Sequence, residues 1–155
     1  MEEARLLRAK DLAARQLGRR MRSERELETY LERKGYGRRI IHRLIADFRR
    51  VGLLDDRALA RDWAERRLER MPSGRAALHR TLRARGIEER TVSEILDEVY
   101  SAESEAELCR RAAAGVLPRL DRLPAEKRRR RLYGFLAQRG FSRDTVCEFL
   151  EEWDG

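Results

Sequence analysis

A segment of about fifty residues recurs three times in this chain, and no other feature limits the possible folds as strongly. Each copy contains a basic residue, a glycine and an apolar residue in succession, at 34–36, 85–87 and 139–141. Leucines stand eight and four residues before each glycine: Leu27 and Leu31, Leu78 and Leu82, Leu132 and Leu136. Residues four apart share a helix face, and glycine is the usual residue just past a helix end. Each copy therefore contains a helix that ends at its glycine.

A second helix is predicted to follow each glycine and a third to precede this pair. Apolar residues recur six, nine and ten positions after the glycine, as at Ile41, Leu44 and Ile45. In the third copy we expect the leading helix to run from Glu103 to about Leu117, with Pro118 and Pro124 marking its break. The sequence thus predicts an all-α fold of three tandem three-helix repeats, at 1–54, 55–101 and 102–155, stacked into an elongated, curved array.

The composition excludes several classes of protein. Charged and apolar residues each make up 41% of the 155 residues, which suits a folded helical chain better than a disordered one. No stretch approaches the ~20 apolar residues of a membrane span, and the first residues lack the pattern of a secretory signal. Cys109 and Cys147 form no CxxC pair, so we expect small buried helix residues in a reduced, cytoplasmic compartment.

Positive charge is concentrated in the first repeat. The net charge is +8: residues 4–52 carry +9, 55–101 carry zero, 103–155 carry +1, and Glu2 and Glu3 add −2. Of the 36 basic residues, 33 are arginine, whose planar fork of donors matches phosphates and carboxylates. An excess of this kind favours contact with a polyanion. The predicted contact residues are Arg19, Arg20, Arg22, Arg25, Lys34, Arg38, Arg39 and Arg43 in the first repeat, and Lys127, Arg128, Arg129, Arg130 and Arg131 in the third.

An alternative interpretation makes these cations a solvated surface that is paired with acidic residues. In the first repeat the acidic residues are too few to pair with all of the basic ones. In the third repeat Glu103, Glu105, Glu107 and Glu126 could neutralise the basic run at 127–131.

No arrangement of residues in the sequence supports catalysis. His42 and His79 lie outside the apolar stripes, and we interpret both as surface helix residues. Asp55 and Asp56 are best explained as capping the helix that begins the second repeat, as Asp favours a helix start. Trp63 and Trp153 are expected in the core or at a docking surface rather than as platforms on which bases stack. The chain has no phosphate-binding loop and no metal-ligand motif, so we predict neither an enzyme nor a cofactor.

Two longer blocks resemble the RecX family of regulatory proteins. One begins with Gly-Leu-Leu-Asp-Asp-Arg-Ala-Leu-Ala at 52–60 and continues through Trp63, Arg67 and Gly74 to Leu82–Ile87, and Leu59 replaces the family's usual aromatic residue. The other runs from Ser23 and Glu26 to the turn at 34–36. The third repeat matches mainly through its last two helices.

The resemblance implies a regulator rather than an enzyme. RecX proteins bind the RecA recombinase and its filament on single-stranded DNA, and they inhibit strand exchange, ATP hydrolysis and coprotease activity. They are described as lying in the filament groove, where they touch more than one protomer. We therefore expect a monomeric cytoplasmic protein of DNA repair, recombination and the SOS response, with the RecA filament, and single- or double-stranded DNA, as partners.

Two other functions stay open at this stage. Three-helix units resemble helix-turn-helix folds, so the chain could bind duplex DNA directly without RecA. The last helices of repeats two and three are acidic on their polar sides, which leaves 38–50 as the helix best suited to this. A structural scaffold that makes no nucleic-acid contact is the second alternative.

Overall fold

Nine α-helices and no strand make up residues 1–153, the part of the chain that the computed structural model describes. In chain order the helices are α1 (Glu2–Leu17), α2 (Glu24–Arg33), α3 (Arg38–Arg50), α4 (Asp56–Arg70), α5 (Arg75–Ala84), α6 (Glu89–Ala102), α7 (Glu105–Leu120), α8 (Ala125–Gln138) and α9 (Arg143–Glu152). Three consecutive trios confirm the all-α repeat fold. The elongated, curved outline and the exact limits of each unit stay predictions. Within the described residues no helix is both long and apolar enough to span a membrane.

The predicted glycine turns join the second and third helices of each unit. Gly35, Gly86 and Gly140 all adopt the left-handed conformation, with φ of 82°, 82° and 83°. In each turn the amide of the following apolar residue donates to the carbonyl of the leucine four residues before the glycine, at 3.1 to 3.3 Å. The amide of each glycine also donates to the carbonyl three residues before it, at 2.9 to 3.0 Å. The two bonds close a Schellman motif, which satisfies carbonyls that a helix end leaves free. The leucine, glycine and apolar spacing therefore recurs because it builds one turn three times.

Side-chain caps begin several of the helices. Ser23 and Ser104 each form a capping box with the glutamate three residues later, at the starts of α2 and α7. Asp55 caps α4 by accepting from the amide of Ala58 at 3.0 Å, as the sequence predicts. Asp56 has a different role. It is the first residue of α4, and its carboxylate accepts from the amide of Glu24 in the first unit at 3.0 Å.

The third unit departs from the sequence prediction at its leading helix. The expected break at Pro118 is wrong, because α7 contains this proline and continues to Leu120. A proline removes one helical hydrogen bond, that to the residue four before it. Here that residue is Ala114, which is exposed, so water can satisfy its carbonyl. Leu120 is buried in the core and keeps the last turn in place. The break follows at Asp121–Pro124.

The apolar core is divided in two. The first unit has a core of its own, which includes Leu31, whereas the second and third units share one that includes Leu82 and Leu136. Trp63 and Trp153 pack on the shared core as partly buried residues, which confirms their predicted place. The first unit is therefore joined to the rest mainly by polar contacts.

One junction geometry is used twice along the chain. The N-terminus of the second helix of one unit meets the glycine turn of the next unit. Between the first two units, Ser23 Oγ donates to the carbonyl of Arg85 at 2.5 Å. Between the second and third, the amide of Gly74 donates to the carbonyl of Arg139 at 2.8 Å. Within residues 1–153 no hydrogen bond or ion pair links the first unit directly to the third. The units therefore contact one another in chain order.

Candidate cationic binding surface

Two of the predicted contact arginines in the first unit are paired with acids at the start of α1. Arg39 Nε lies 3.2 Å from Glu2 Oε1, and Arg43 Nη1 donates to Glu3 Oε1 at 2.7 Å. The hydrogen bond that Arg43 donates to Glu3 raises the pKa of the Arg43 guanidinium. In the sequence, Glu2 and Glu3 lie just before the basic stretch at 4–52. However, α1 begins at Glu2 and places both carboxylates beside α3. Arg39 and Arg43 are thus partly neutralised.

Three further predicted residues of this unit pack against other parts of the protein. The guanidinium carbon of Arg22 lies 5.6 Å from the ring centre of Tyr30, and Lys34 Nζ lies 5.8 Å from the same ring. The aliphatic part of Arg25 covers the turn at Gly86. Such cation–π and stem contacts leave part of each charge accessible, but they give these side chains a structural role.

Arg19, Arg20 and Arg38 make the free part of the predicted cationic surface. Arg19 and Arg20 lie in the connection between α1 and α2, and Arg38 is the first residue of α3. All three are exposed, and none forms an ion pair within residues 1–153. They can therefore meet an external anion without giving up an internal partner.

The basic run on α8 is divided between internal contacts and solvent. Arg128 lies over the Trp153 ring at 5.5 Å, and Arg129 Nη1 donates to the carbonyl of Leu150 at 2.6 Å. Arg130 is 3.4 Å from Glu126, while Lys127 and Arg131 are exposed. Of the four acids that could neutralise this run, only Glu126 pairs with it among the described residues. Glu103 pairs with Arg111, Glu105 accepts from the amide of Arg75, and Glu107 caps α7.

A cleft of about 890 Å³ lies at the junction of the first two units. Its polar lining contains five arginines and two carboxylates: Arg20, Arg66, Arg67, Arg70, Arg85, Glu26 and Asp62. Its apolar lining consists of Met21, Leu59, Trp63 and Met71. Each carboxylate is already paired, Glu26 with Arg85 and Asp62 with Arg66. The other three arginines have no carboxylate partner within residues 1–153, so the cleft is strongly cationic.

The net charge of the second repeat does not reveal the arginines that α4 supplies to this cleft. That repeat is neutral overall, but Arg66, Arg67 and Arg70 line this cleft, whereas Glu65 and Glu69 line a separate depression. A count made by helix face would have found the separation, because residues three and four apart share a face.

Arg139 of the third unit packs on an aromatic ring, and its charge acts on Arg67 of the second unit. The Arg139 guanidinium lies 4.7 Å from the ring centre of Phe135. Burial, together with the nearby charge of Arg67, lowers its pKa. The charges of Arg67 and Arg139 thus act on each other, and neither arginine has a carboxylate partner in the described part of the chain.

The wall of the cleft is also the polar junction between the units. Glu26 receives hydrogen bonds from Arg85 Nε at 2.9 Å and Arg85 Nη2 at 3.0 Å, and both side chains are mostly buried. Burial raises the pKa of Glu26, but the bonds from Arg85 and from the Ser23 amide, with the charge of Arg20 nearby, hold it below its usual value. For Asp56, burial raises the pKa more than the hydrogen bond from the Glu24 amide lowers it, so the pKa lies above its usual value.

The histidines and cysteines lie apart from this surface. His42 is exposed, and His79 is half-buried with Nε2 2.8 Å from Glu89 Oε1. Cys109 is buried as predicted, and burial with the nearby Glu105 raises the pKa of its thiol to about 11. Cys147 is only half-buried. Within residues 1–153 no group of three or more His, Cys, Asp or Glu side chains could hold a metal ion.

The fold and this surface define a helical-repeat protein that concentrates positive charge at the junction of its units. Sequence profiles of the RecX family match two of these units, its first three-helix domain at residues 9–48 and its third at residues 103–150. The regulatory protein RecX of Pelodictyon phaeoclathratiforme is 38% identical over 142 residues, which cover 92% of this chain and 86% of that protein. The regulatory protein RecX of Chlorobaculum tepidum is 33% identical over 151 residues, 97% of this chain and 91% of that protein. The chain belongs to the RecX family of regulatory proteins.

Solved structures share the same fold. The crystal structure of RecX from Lactobacillus salivarius superposes with a TM-score of 0.86 at 18% identity, covering 96% of each chain. A second crystal structure of a regulatory protein RecX gives a TM-score of 0.83 at 22% identity, over 98% of this chain and 74% of that one. The three-unit architecture is therefore retained where most of the sequence differs.

Proposed function

We propose that this chain regulates the RecA recombinase by binding its filament on single-stranded DNA in the cytoplasm. In this proposal the protein acts as a monomer, and it inhibits ATP hydrolysis, strand exchange and coprotease activity during DNA repair, recombination and the SOS response. Membership of the RecX family supports the class of target. The contact residues rest on the geometry of the cationic surface.

The free cations of the first unit carry the proposal. Arg19, Arg20 and Arg38 are exposed and lack ion-pair partners within residues 1–153, so an anionic surface can bind them without displacing an internal carboxylate. Charges of this kind raise the rate of encounter with a negatively charged groove and help to set the binding orientation. Lys127 and Arg131, exposed on α8, offer a second contact region.

Three units in series suit a polymeric partner. Because the units contact one another in chain order, the cationic residues of the first unit and those of α8 belong to different ends of the series. Bound across two protomers, the chain would stabilise one filament arrangement at the expense of those that ATP turnover requires. The two separate cores would let the first unit adjust its position against the filament.

Direct binding of duplex DNA without RecA is less well supported. The helix best suited to enter a major groove is α3, and three of its arginines are paired within the first unit. Arg39 pairs with Glu2, Arg43 with Glu3 and Arg49 with Glu24. Such a contact would first have to break these ion pairs.

The test is RecA-catalysed ATP hydrolysis on circular single-stranded DNA, titrated with this protein. We expect the wild-type chain to inhibit hydrolysis. A double charge reversal, Arg19→Glu with Arg38→Glu, should raise the protein concentration needed for half-inhibition about tenfold or more, because opposed like charges weaken the encounter. The matched control is Arg119→Glu with Arg122→Glu, which reverses two exposed charges of the third unit that have no ion-pair partner in the described chain.

The control should stay within about twofold of wild type. Hydrolysis that the wild-type chain leaves unchanged would refute the regulation of RecA. Equal losses in the two double variants would refute the placement of the contact on the first unit, since net charge alone would then explain the effect.

A further inference from the structure

We propose that the cleft at the junction of the first two units is a binding site for a single strand of nucleic acid. Its lining combines arginines without partners and an aromatic ring, two features that single-strand sites commonly use together. The resemblance to RecX proteins already names single-stranded DNA as a partner. The inference adds the place on this molecule where a strand binds, and that binding needs no recombinase.

The charge of the cleft is available to a ligand. Glu26 and Asp62 are each bound to an arginine, so they leave Arg20, Arg67 and Arg70 without a carboxylate partner within residues 1–153. Like charges held together in a concave surface repel each other, and an anion relieves this repulsion. Guanidinium groups bind phosphate oxygens through paired, parallel hydrogen bonds.

The cationic path favours a polymer over a small anion. Arg20 comes from the first unit, whereas Arg67 and Arg70 come from the second. A ligand with one charge cannot reach all of these groups. A chain of phosphates can, and each phosphate bound releases condensed counterions, which adds to the affinity.

The apolar part of the cleft favours a nucleic-acid strand over an acidic peptide. Trp63 is only partly buried against the shared core and also lines the cleft beside Met21 and Met71, and Met21 is 49% exposed. A base gains affinity by stacking on an aromatic ring, and every base has a face that can stack. The bases of duplex DNA are already stacked on one another, so they cannot stack on Trp63.

Binding is measured by fluorescence anisotropy with a labelled oligothymidylate and without RecA. We expect Arg67→Ala with Arg70→Ala to weaken binding about tenfold. Each phosphate contact on a single strand contributes about 0.7 to the slope of log affinity against log salt. Removing two arginines should therefore make this slope shallower by about 1.4. Arg119→Ala with Arg122→Ala removes the same charge away from the cleft and should change affinity less than twofold. Circular dichroism and thermal melting confirm that each variant is folded.

Trp63 provides a second measurement. Trp63 and Trp153 are the two tryptophans of the chain, so Trp153→Phe leaves Trp63 as the only indole. Oligothymidylate should quench its fluorescence by stacking, whereas a duplex of equal length and poly-glutamate should not. Equal weakening in both double variants, an unquenched Trp63 at saturating oligothymidylate, or tighter binding of poly-glutamate would each overturn the site. Inhibition of RecA could persist in any of these cases, so the two proposals fail separately.

Discussion

The three equivalent glycine turns offer a controlled test of how the units are held together. Gly35, Gly86 and Gly140 share nearly the same φ, so an alanine at each position meets the same backbone strain. Their surroundings differ. A Cβ at Gly35 would have no neighbour within 4 Å, one at Gly86 would overlap the side chain of Arg25, and one at Gly140 would overlap Ala77 of the preceding unit. Gly→Ala at the three sites therefore separates backbone strain from the cost of opening a junction.

The expected losses of stability follow from these contacts. A left-handed alanine costs about 1–2 kcal/mol, and the reduced freedom of the unfolded chain returns about 0.5 kcal/mol, so Gly35→Ala should cost about 1 kcal/mol. At Gly86 the flexible Arg25 side chain can move, which adds about 1 kcal/mol. At Gly140 the new Cβ would lie 2.6 Å from the backbone nitrogen of Ala77 and the units must separate. Overpacking of this kind adds about 2–3 kcal/mol, for a total near 3–4 kcal/mol.

Urea unfolding at 25 °C followed by circular dichroism measures these values. Gly35→Asn is the control, because asparagine tolerates the left-handed conformation and should cost less than Gly35→Ala. The loss of stability should be smallest for Gly35→Ala, larger for Gly86→Ala and largest for Gly140→Ala. A Gly35→Ala variant as unstable as Gly140→Ala would refute the reasoning, since backbone strain alone would then explain the whole cost.

Two further predictions concern titratable groups. The pKa of Glu26 is below its usual value, so its contribution to stability is present above its unfolded pKa and lost as the pH falls through the folded one. Acid unfolding of the Glu26→Gln variant should therefore lack part of the decline that wild type shows below about pH 4, and an identical decline would contradict the role of the Arg85 pair. Cys147 should react with a thiol reagent at pH 8 well before Cys109, whose pKa is about 11. Cys109→Ala and Cys147→Ala variants assign the two rates, and a fast Cys109 would contradict its burial.

The sequence predicts local structure because the contacts that form it join residues close together in the chain. The turn at Gly35 depends on a bond from Tyr36 to Leu31, five residues away, and the cap of α4 depends on Asp55 and Ala58. Residue types and spacings specify contacts of this kind directly. The repeat, the three helices of each copy and the resemblance to RecX proteins follow from them. The expectation at Pro118 was wrong because burial of Leu120, a tertiary effect, outweighs the local preference of proline.

Which arginines are free was decided by tertiary structure. Arg43 pairs with Glu3 across forty residues, and Arg85 pairs with Glu26 across fifty-nine. Partners so far apart meet only through the packing of helices and the docking of units, and one sequence does not encode that geometry in any local spacing. The cleft has the same origin, since Arg20, Arg67 and Trp63 converge only where two units meet. The sequence alone thus determined the repeated unit and its charge, whereas the packing of helices and the docking of units determined where that charge remains unpaired.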